Sequence, residues 1–319
     1  MIARRVAVIG LALLAAGPAS ASYADYRLPD DLTARRVTFL SDGTPLVGHF
    51  VQAKALRGHR LPTVILCQGT GGVQHYHLAQ AIAFARAGYT VMTFDYRGWG
   101  ESRGRLVPVD GTAPPRKDGQ PAPVQAIEVR ETVDPVEQTL DVLAAIAFAA
   151  GEPEVDASRL GLWGTSLGAG IVAEAMVLDG RVKAVVAQVG AYDLRRGTAG
   201  LLEIRDIAGK RTRGELPYPA PQPRVAGQLH GHMIREHYQI FAPIEDLGRR
   251  PSLPAVLVID AANDELIDIR QHGQRFYERL TGPKQRVVLP GIRHYDIYRG
   301  EPLEQARRLA LEWYDKQLR

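Results

Sequence analysis

Ser166, Asp264 and His294 are the residues of this 319-residue chain whose types and spacing could together do nucleophilic chemistry on an acyl group. Ser166 is the centre of Gly164-Thr165-Ser166-Leu167-Gly168, directly after a short apolar run and directly before a helix-compatible stretch. A serine there would occupy a sharp strand-to-helix turn, where side chains at Gly164 or Gly168 would collide with the neighbouring elements. A serine hydroxyl is a poor nucleophile near neutral pH until an imidazole takes its proton. The imidazole in turn needs a carboxylate that holds its tautomer and stabilises its charged form. Serine, then acid, then histidine is one of the chain orders in which such groups occur. Asp264 follows the apolar run 255–260 through Ala-Ala-Asn, and His294 follows the run 285–290 through Gly-Ile-Arg. Asp260, Glu265 and Asp268 compete for the acid role, but Asp264 lies deeper in its loop, where a side chain can turn towards His294.

The tetrahedral oxyanion formed on attack needs preorganised donors. The expected pair is the backbone N–H of Leu167, at a helix start, and that of Thr70, in the glycine-rich Gln68-Gly69-Thr70-Gly71-Gly72. A phosphate-binding reading of the same glycines lacks the following Gly-Lys-Ser/Thr. Cys67, the only cysteine, ends an apolar run and reads as a core thiol. His75-Tyr76-His77 and His230-Gly-His232 lack neighbouring ligands at metal spacing, so no metal and no cofactor is expected. The first pair is expected to line the entrance beside the oxyanion loop.

These residues need a frame. Strand-like runs fall at 36–40, 46–53, 63–67, 90–95, 160–164, 184–189, 255–260 and 285–290, and helical patterns at 76–87, 134–150, 167–178, 269–280 and 301–317. Their alternation predicts an α/β fold with a mostly parallel eight-stranded sheet flanked by helices. Asp42-Gly43 predicts a hairpin between the first two strands. Gly88, Gly151 and Gly180 stand where helix C-caps belong. Residues 103–127, rich in Pro and Gly, read as an irregular insertion. Residues 195–250 read as a helical cap with helices near 198–209 and 226–241. In the latter, Leu201, Leu202, Ile204, Ile207, Ile234, Tyr238, Ile240 and Phe241 alternate with arginines. That mixture suits an apolar acyl pocket with an anionic contact, or equally a cap whose apolar residues pack on the main domain while its arginines stay solvated.

Residues 1–21 read as an export signal: Arg4 and Arg5 precede an apolar stretch and an Ala19-Ser20-Ala21 cleavage site. The mature chain, 22–319, is then a single domain, periplasmic or secreted. The apolar stretch is short for a bilayer span, so no stable membrane span is expected after cleavage. Losing the two arginines lowers the formal net charge from +4 to +2. The remaining arginines are scattered, so nucleic acid is not an expected partner; a small-molecule ester or acyl compound is.

Several segments together resemble the α/β-hydrolase superfamily: Gln68 to Gly72, Asp95-Tyr96-Arg97-Gly98-Trp99-Gly100-Glu101-Ser102, Gly164 to Gly168, Asn263-Asp264-Glu265 and Gly291-Ile292-Arg293-His294-Tyr295. The stretches 154–164 and 181–186, with the endings 294–298 and 312–315, are similar to the branch of dienelactone-hydrolase-like and X-Pro-dipeptidyl-peptidase-like proteins that includes polyketide transferase-like members. The resemblance implies the α/β-hydrolase fold and a nucleophile elbow at Ser166. Two departures stand out. The usual His-Gly of the oxyanion loop is Gln68-Gly69, and the cysteine nucleophile of dienelactone hydrolases proper is replaced by Ser166.

The expected activity is cleavage of a carboxylic ester through an acyl-enzyme. Acyl transfer or peptide cleavage by the same triad is the alternative among enzymes. From another class, an exported binding protein could keep the fold without catalysis.

Overall fold

The computed structural model describes residues 28–71, 73–109, 123–195, 197–216 and 232–319. The expected export signal, part of the 103–127 stretch and part of 195–250 lie outside them. Eight strands form one sheet: β1 (Leu32–Ser41), β2 (Thr44–Ala53), β3 (Leu61–Cys67), β4 (Thr90–Phe94), β5 (Val155–Thr165), β6 (Val182–Gln188), β7 (Ala255–Ala261) and β8 (Lys284–Leu289). Their spatial order is β1-β2-β4-β3-β5-β6-β7-β8. β1 pairs antiparallel with β2, and β2 antiparallel with β4; every other pairing is parallel. The hairpin closes at Asp42 and Gly43, which have φ of 47° and 76°. Two successive positive φ values suit the right-handed twist of the strands they join.

The central strands read as apolar runs because both faces of the sheet are covered there. Every residue of β4 and β7 is buried. On one face lie α2 (Pro135–Ala150) and α3 (Leu167–Leu178), which contribute Val142, Ile146, Ile171, Val172 and Met176 to the core. On the other lie α1 (Leu78–Arg86) and the C-terminal helix Gly300–Leu318, which contribute Phe84, Ala310, Trp313 and Tyr314. Asp134 starts α2 by accepting the N–H groups of Val136 and Glu137, with Pro135 at the first turn. This satisfies donors that have no acceptor inside the helix.

The strand order places the crevice. After β3 the chain turns to one side to form β4, whereas β5 takes the other side of β3. Loops leaving the carboxyl ends of β3 and β5 therefore diverge, and ligands of open α/β sheets bind in the gap so formed.

Four expectations need correction. The 103–127 stretch is not wholly irregular: Arg105–Pro108 pairs antiparallel with Ala126–Val129. The described part of the helix expected at 226–241 is a two-residue strand, His232–Met233, parallel to Thr132–Val133, followed by the single helical turn Arg235–Tyr238. Main-chain bonds to a neighbouring segment here outcompete helix formation. The segment 269–280 opens as a π-helical turn, Arg270–Gln274, before the helix Arg275–Arg279. Gly180 does not cap α3, because the helix ends on Asp179 in an extended conformation. The helix expected near 198–209 is present as α4, Thr198–Thr212. Among the described residues no helix is long and apolar enough to cross a membrane.

Candidate active site

β5 runs into α3 through one residue, Ser166, whose φ of 54° and ψ of −122° are forced by the reversal. The flanking glycines make the reversal possible by letting backbone approach backbone. A Cβ on Gly164 would lie 2.4 Å from the Gly168 carbonyl oxygen, and one on Gly168 would lie 2.4 Å from that of Gln68. No side chain fits at either place. Gly69, in the loop after β3, is approached less closely: its Cβ would stand 3.1 Å from the Cβ of Ser166.

The loops after β7 and β8 deliver the other two groups. His294 Nε2 lies 3.2 Å from Ser166 Oγ, and His294 Nδ1 lies 2.7 Å from Asp264 Oδ2. The second carboxylate oxygen of Asp264 accepts the N–H groups of Leu266 and Ile267 at 2.9 and 2.8 Å. With both oxygens engaged, the carboxylate has its orientation fixed. Glu265, one of the competing acids, instead accepts the main-chain N–H of His294 at 3.0 Å. Neighbouring acids thus hold the ring and the backbone of one histidine.

The competing acids are used elsewhere. Asp260 is buried against Arg286 Nε at 2.7 Å, and burial pushes its carboxyl up to about 6 against the pull of that guanidinium. Asp268 accepts the N–H of Arg270 and opens the π-helical turn.

Leu167 is the first residue of α3, so its N–H has no intrahelical acceptor and lies beside Ser166. Thr70 lies in the turn after β3, ahead of Gly71 with φ 104°. This loop is braced from below: Asp95, after β4, accepts the N–H of Gln74 at 2.7 Å and its side-chain amide at 3.0 Å. Gln68, where a histidine is usual, turns inward and donates its amide to the Phe94 carbonyl.

His77 does not line an entrance. It is buried, with its ring edge-on to Trp163 at 4.9 Å, and burial lowers its imidazole to about 4. Cys67 is buried and its thiol is pushed up by desolvation, as a core residue would be. His230 lies outside the described residues, and among those described no group of three or more His, Cys, Asp or Glu side chains could hold a metal ion.

Five arginines in the described part of the 195–250 segment pair with acids. Arg195 pairs with Asp193 and Glu245, Arg211 with Glu236, Arg213 with Glu215, Arg235 with Glu203 and Arg249 with Asp246. The anionic contact considered from the sequence finds no support in these partners. Ile204, Ile234, Tyr238 and Phe241 are buried, while Leu202 and Ile240 are exposed.

Comparison with known proteins agrees with the fold. A family model described as alpha/beta hydrolase fold matches residues 62–204. An uncharacterized 31.7 kDa protein of Escherichia coli, from the traX-finO intergenic region, is 28% identical over 289 residues, which covers 81% of this chain and 91% of that one. Polyketide transferase claH of Penicillium crustosum is 23% identical over 317 residues, covering 87% and 95%. Among solved structures, the acetyl xylan esterase from Paenibacillus sp. R4 superposes with a TM-score of 0.62 at 19% identity, over 92% of this chain and 86% of that one.

Proposed function

We propose that the chain, which has the α/β-hydrolase fold and matches that family model over residues 62–204, is a serine hydrolase that cleaves a carboxylic ester through an acyl-enzyme. The observation that carries this reading is the continuous contact from Ser166 Oγ through His294 to Asp264, built on a serine held at positive φ. Ser166 Oγ attacks the ester carbonyl carbon as its proton passes to His294 Nε2. Nδ1–H of the imidazolium donates to Asp264 Oδ2, which stabilises the positive ring and fixes its tautomer. The oxygen of the tetrahedral intermediate is held by the N–H groups of Leu167 and Thr70. Collapse breaks the bond to the alcohol oxygen, and His294 returns its proton to that oxygen. A water then gives its proton to His294 as it attacks the acyl carbon; the bond to Ser166 Oγ breaks, and His294 returns the proton to Oγ as the carboxylic acid leaves.

A fluorophosphonate probe should label the wild-type protein at Ser166 and leave Ser166→Ala unlabelled. Failure to label folded wild-type protein would overturn the reading and return the chain to the non-catalytic binding class.

The polyketide transferase relative favours a second reading, acyl transfer by the same residues. Water and other nucleophiles compete for an acyl-enzyme, and exclusion of water favours transfer. Turnover of a p-nitrophenyl ester in rising methanol separates the two. A rising share of methyl ester with faster p-nitrophenol release indicates transfer; a product that stays the free acid indicates hydrolysis.

A further inference from the structure

The conformation of Ser166 costs on the order of 1–3 kcal/mol and persists only where the surroundings over-determine it. Part of that support is main chain: Ser166 N–H donates to the Gln188 carbonyl at 2.9 Å, and the Ser166 carbonyl accepts Ala169 and Ala191 N–H. The residue just before it, Thr165, is held by its side chain. Thr165 Oγ1 accepts the Gln188 side-chain amide at 3.3 Å and meets the Tyr298 hydroxyl at 2.8 Å.

Tyr298 ends the 3-10 turn Asp296–Tyr298, directly beyond His294 and Tyr295. Its ring packs against the core on the side of the sheet that carries α1, and its centroid lies 6.3 Å from that of His294. The two hydroxyls are 133 residues apart in the chain. They join the loop that carries the proposed base to the turn that carries the proposed nucleophile. Neither hydroxyl takes part in the chemistry described above, and Thr165 is buried in a strand where valine would fill the same space.

We propose that Tyr298 is a positioning residue which, through its hydrogen bond to Thr165, fixes the His294 loop against the Ser166 turn and so sets the approach of imidazole to hydroxyl. The inference rests on the serine-hydrolase reading. Asp264 and Glu265 hold His294 from the β7 side through their bonds to its ring and its backbone. Without the Tyr298 tie, the base and nucleophile loops lose a direct side-chain link. Small errors are costly in this setting, since a misplacement of about 1 Å can reduce turnover ~100-fold.

The test compares Tyr298→Phe, Thr165→Val, their double variant, Thr165→Ser and Ser166→Ala on p-nitrophenyl acetate, with a thermal melt of each. Tyr298→Phe and Thr165→Val should each lower kcat by about 10- to 100-fold with KM within about twofold of wild type, as expected when binding is kept and geometry lost. The double variant should be no worse than the poorer single variant, because both remove the same bond. Thr165→Ser keeps a hydroxyl and should recover most of the turnover. A Tyr298→Phe protein with wild-type kcat, or losses that simply multiply in the double variant, would overturn the proposal while Ser166→Ala remained inactive. Full activity in Ser166→Ala would instead overturn the serine reading beneath it. Should Tyr298→Phe fail to fold, valine and serine variants of Thr165 with equal kcat would refute the link, as would a Thr165→Val no poorer than Gln188→Leu, which removes only the amide bond to Thr165.

Discussion

Asp264 and His294 meet through one 2.7 Å contact between side chains that are 0% and 2% exposed. A contact so shielded keeps its strength, because solvent does not screen it. Asp264→Asn would present an amide where the ring needs an acceptor, favouring the wrong tautomer. We expect kcat for ester hydrolysis to fall by on the order of 10⁴, with the fold intact by circular dichroism. Asp260→Asn is the informative contrast. It strands Arg286 in a partly buried site and should lower the melting temperature while leaving most of the turnover.

The glycines around the elbow should separate folding from chemistry. A Cβ at residue 168 meets backbone carbonyls at 2.4 and 2.5 Å, and backbone cannot step aside as a side-chain tip can. Gly168→Ala should therefore cost about 1–3 kcal/mol in chemical denaturation. At Gly69 the clash is milder and falls on Ser166 itself, at 3.1 Å. Gly69→Ala should fold and lose turnover, measured as a lower kcat and slower fluorophosphonate labelling.

Glu174 on α3 makes stability depend on alkaline conditions. Burial first, and the neighbouring carboxylate of Asp246 second, push its carboxyl up to about 7. A carboxyl raised in the folded state favours folding while protonated and penalises it as pH climbs from its unfolded value, about 4.3, through 7. Glu174→Gln removes that penalty. Its melting temperature should match wild type near pH 4 and exceed it by a few degrees at pH 8, on the order expected for about 1 kcal/mol.

His237 should act in the opposite sense. Its Nδ1 lies 2.6 Å from Asp134, the residue that starts α2, and this partner raises the imidazole above its ordinary value. Glu137 and Glu236 add to the same effect. The stabilisation is complete below about 6.5 and is lost as pH rises through the elevated value. His237→Gln should thus melt below wild type at pH 5.5 and converge with it at pH 9. Limited proteolysis between residues 232 and 241 should show the same pH dependence.

Much of this molecule is legible as letters. The eight strands stand out because β4, β6 and β7 are apolar on both faces, and the helices between them imply parallel neighbours. Ser166, Asp264 and His294 can be placed because each follows the carboxyl end of a strand, a property of order along the chain. The choice between Asp260 and Asp264 is harder, since it depends on where a side chain points; in the structure Asp260 faces Arg286 and Gly273 instead of His294. Glu265 and Tyr298 escape sequence reasoning for another reason. Their partners are a backbone N–H in one loop and a threonine in a distant strand, contacts created only when loops settle on one another. The 226–241 segment misleads in the same way, because its amphipathic letters suit a helix while the strand Thr132–Val133 offers its backbone competing partners.

Ser166 and His294 lie 128 residues apart, with Asp264 between them, 30 residues before the histidine it contacts. During synthesis the elbow can be complete on the ribosome while both of its helpers are still untranslated. Until β8 docks on β7 at the edge of the sheet, Ser166 has no imidazole beside it. Under the proposed mechanism, reactivity therefore arrives with the last strand of the sheet.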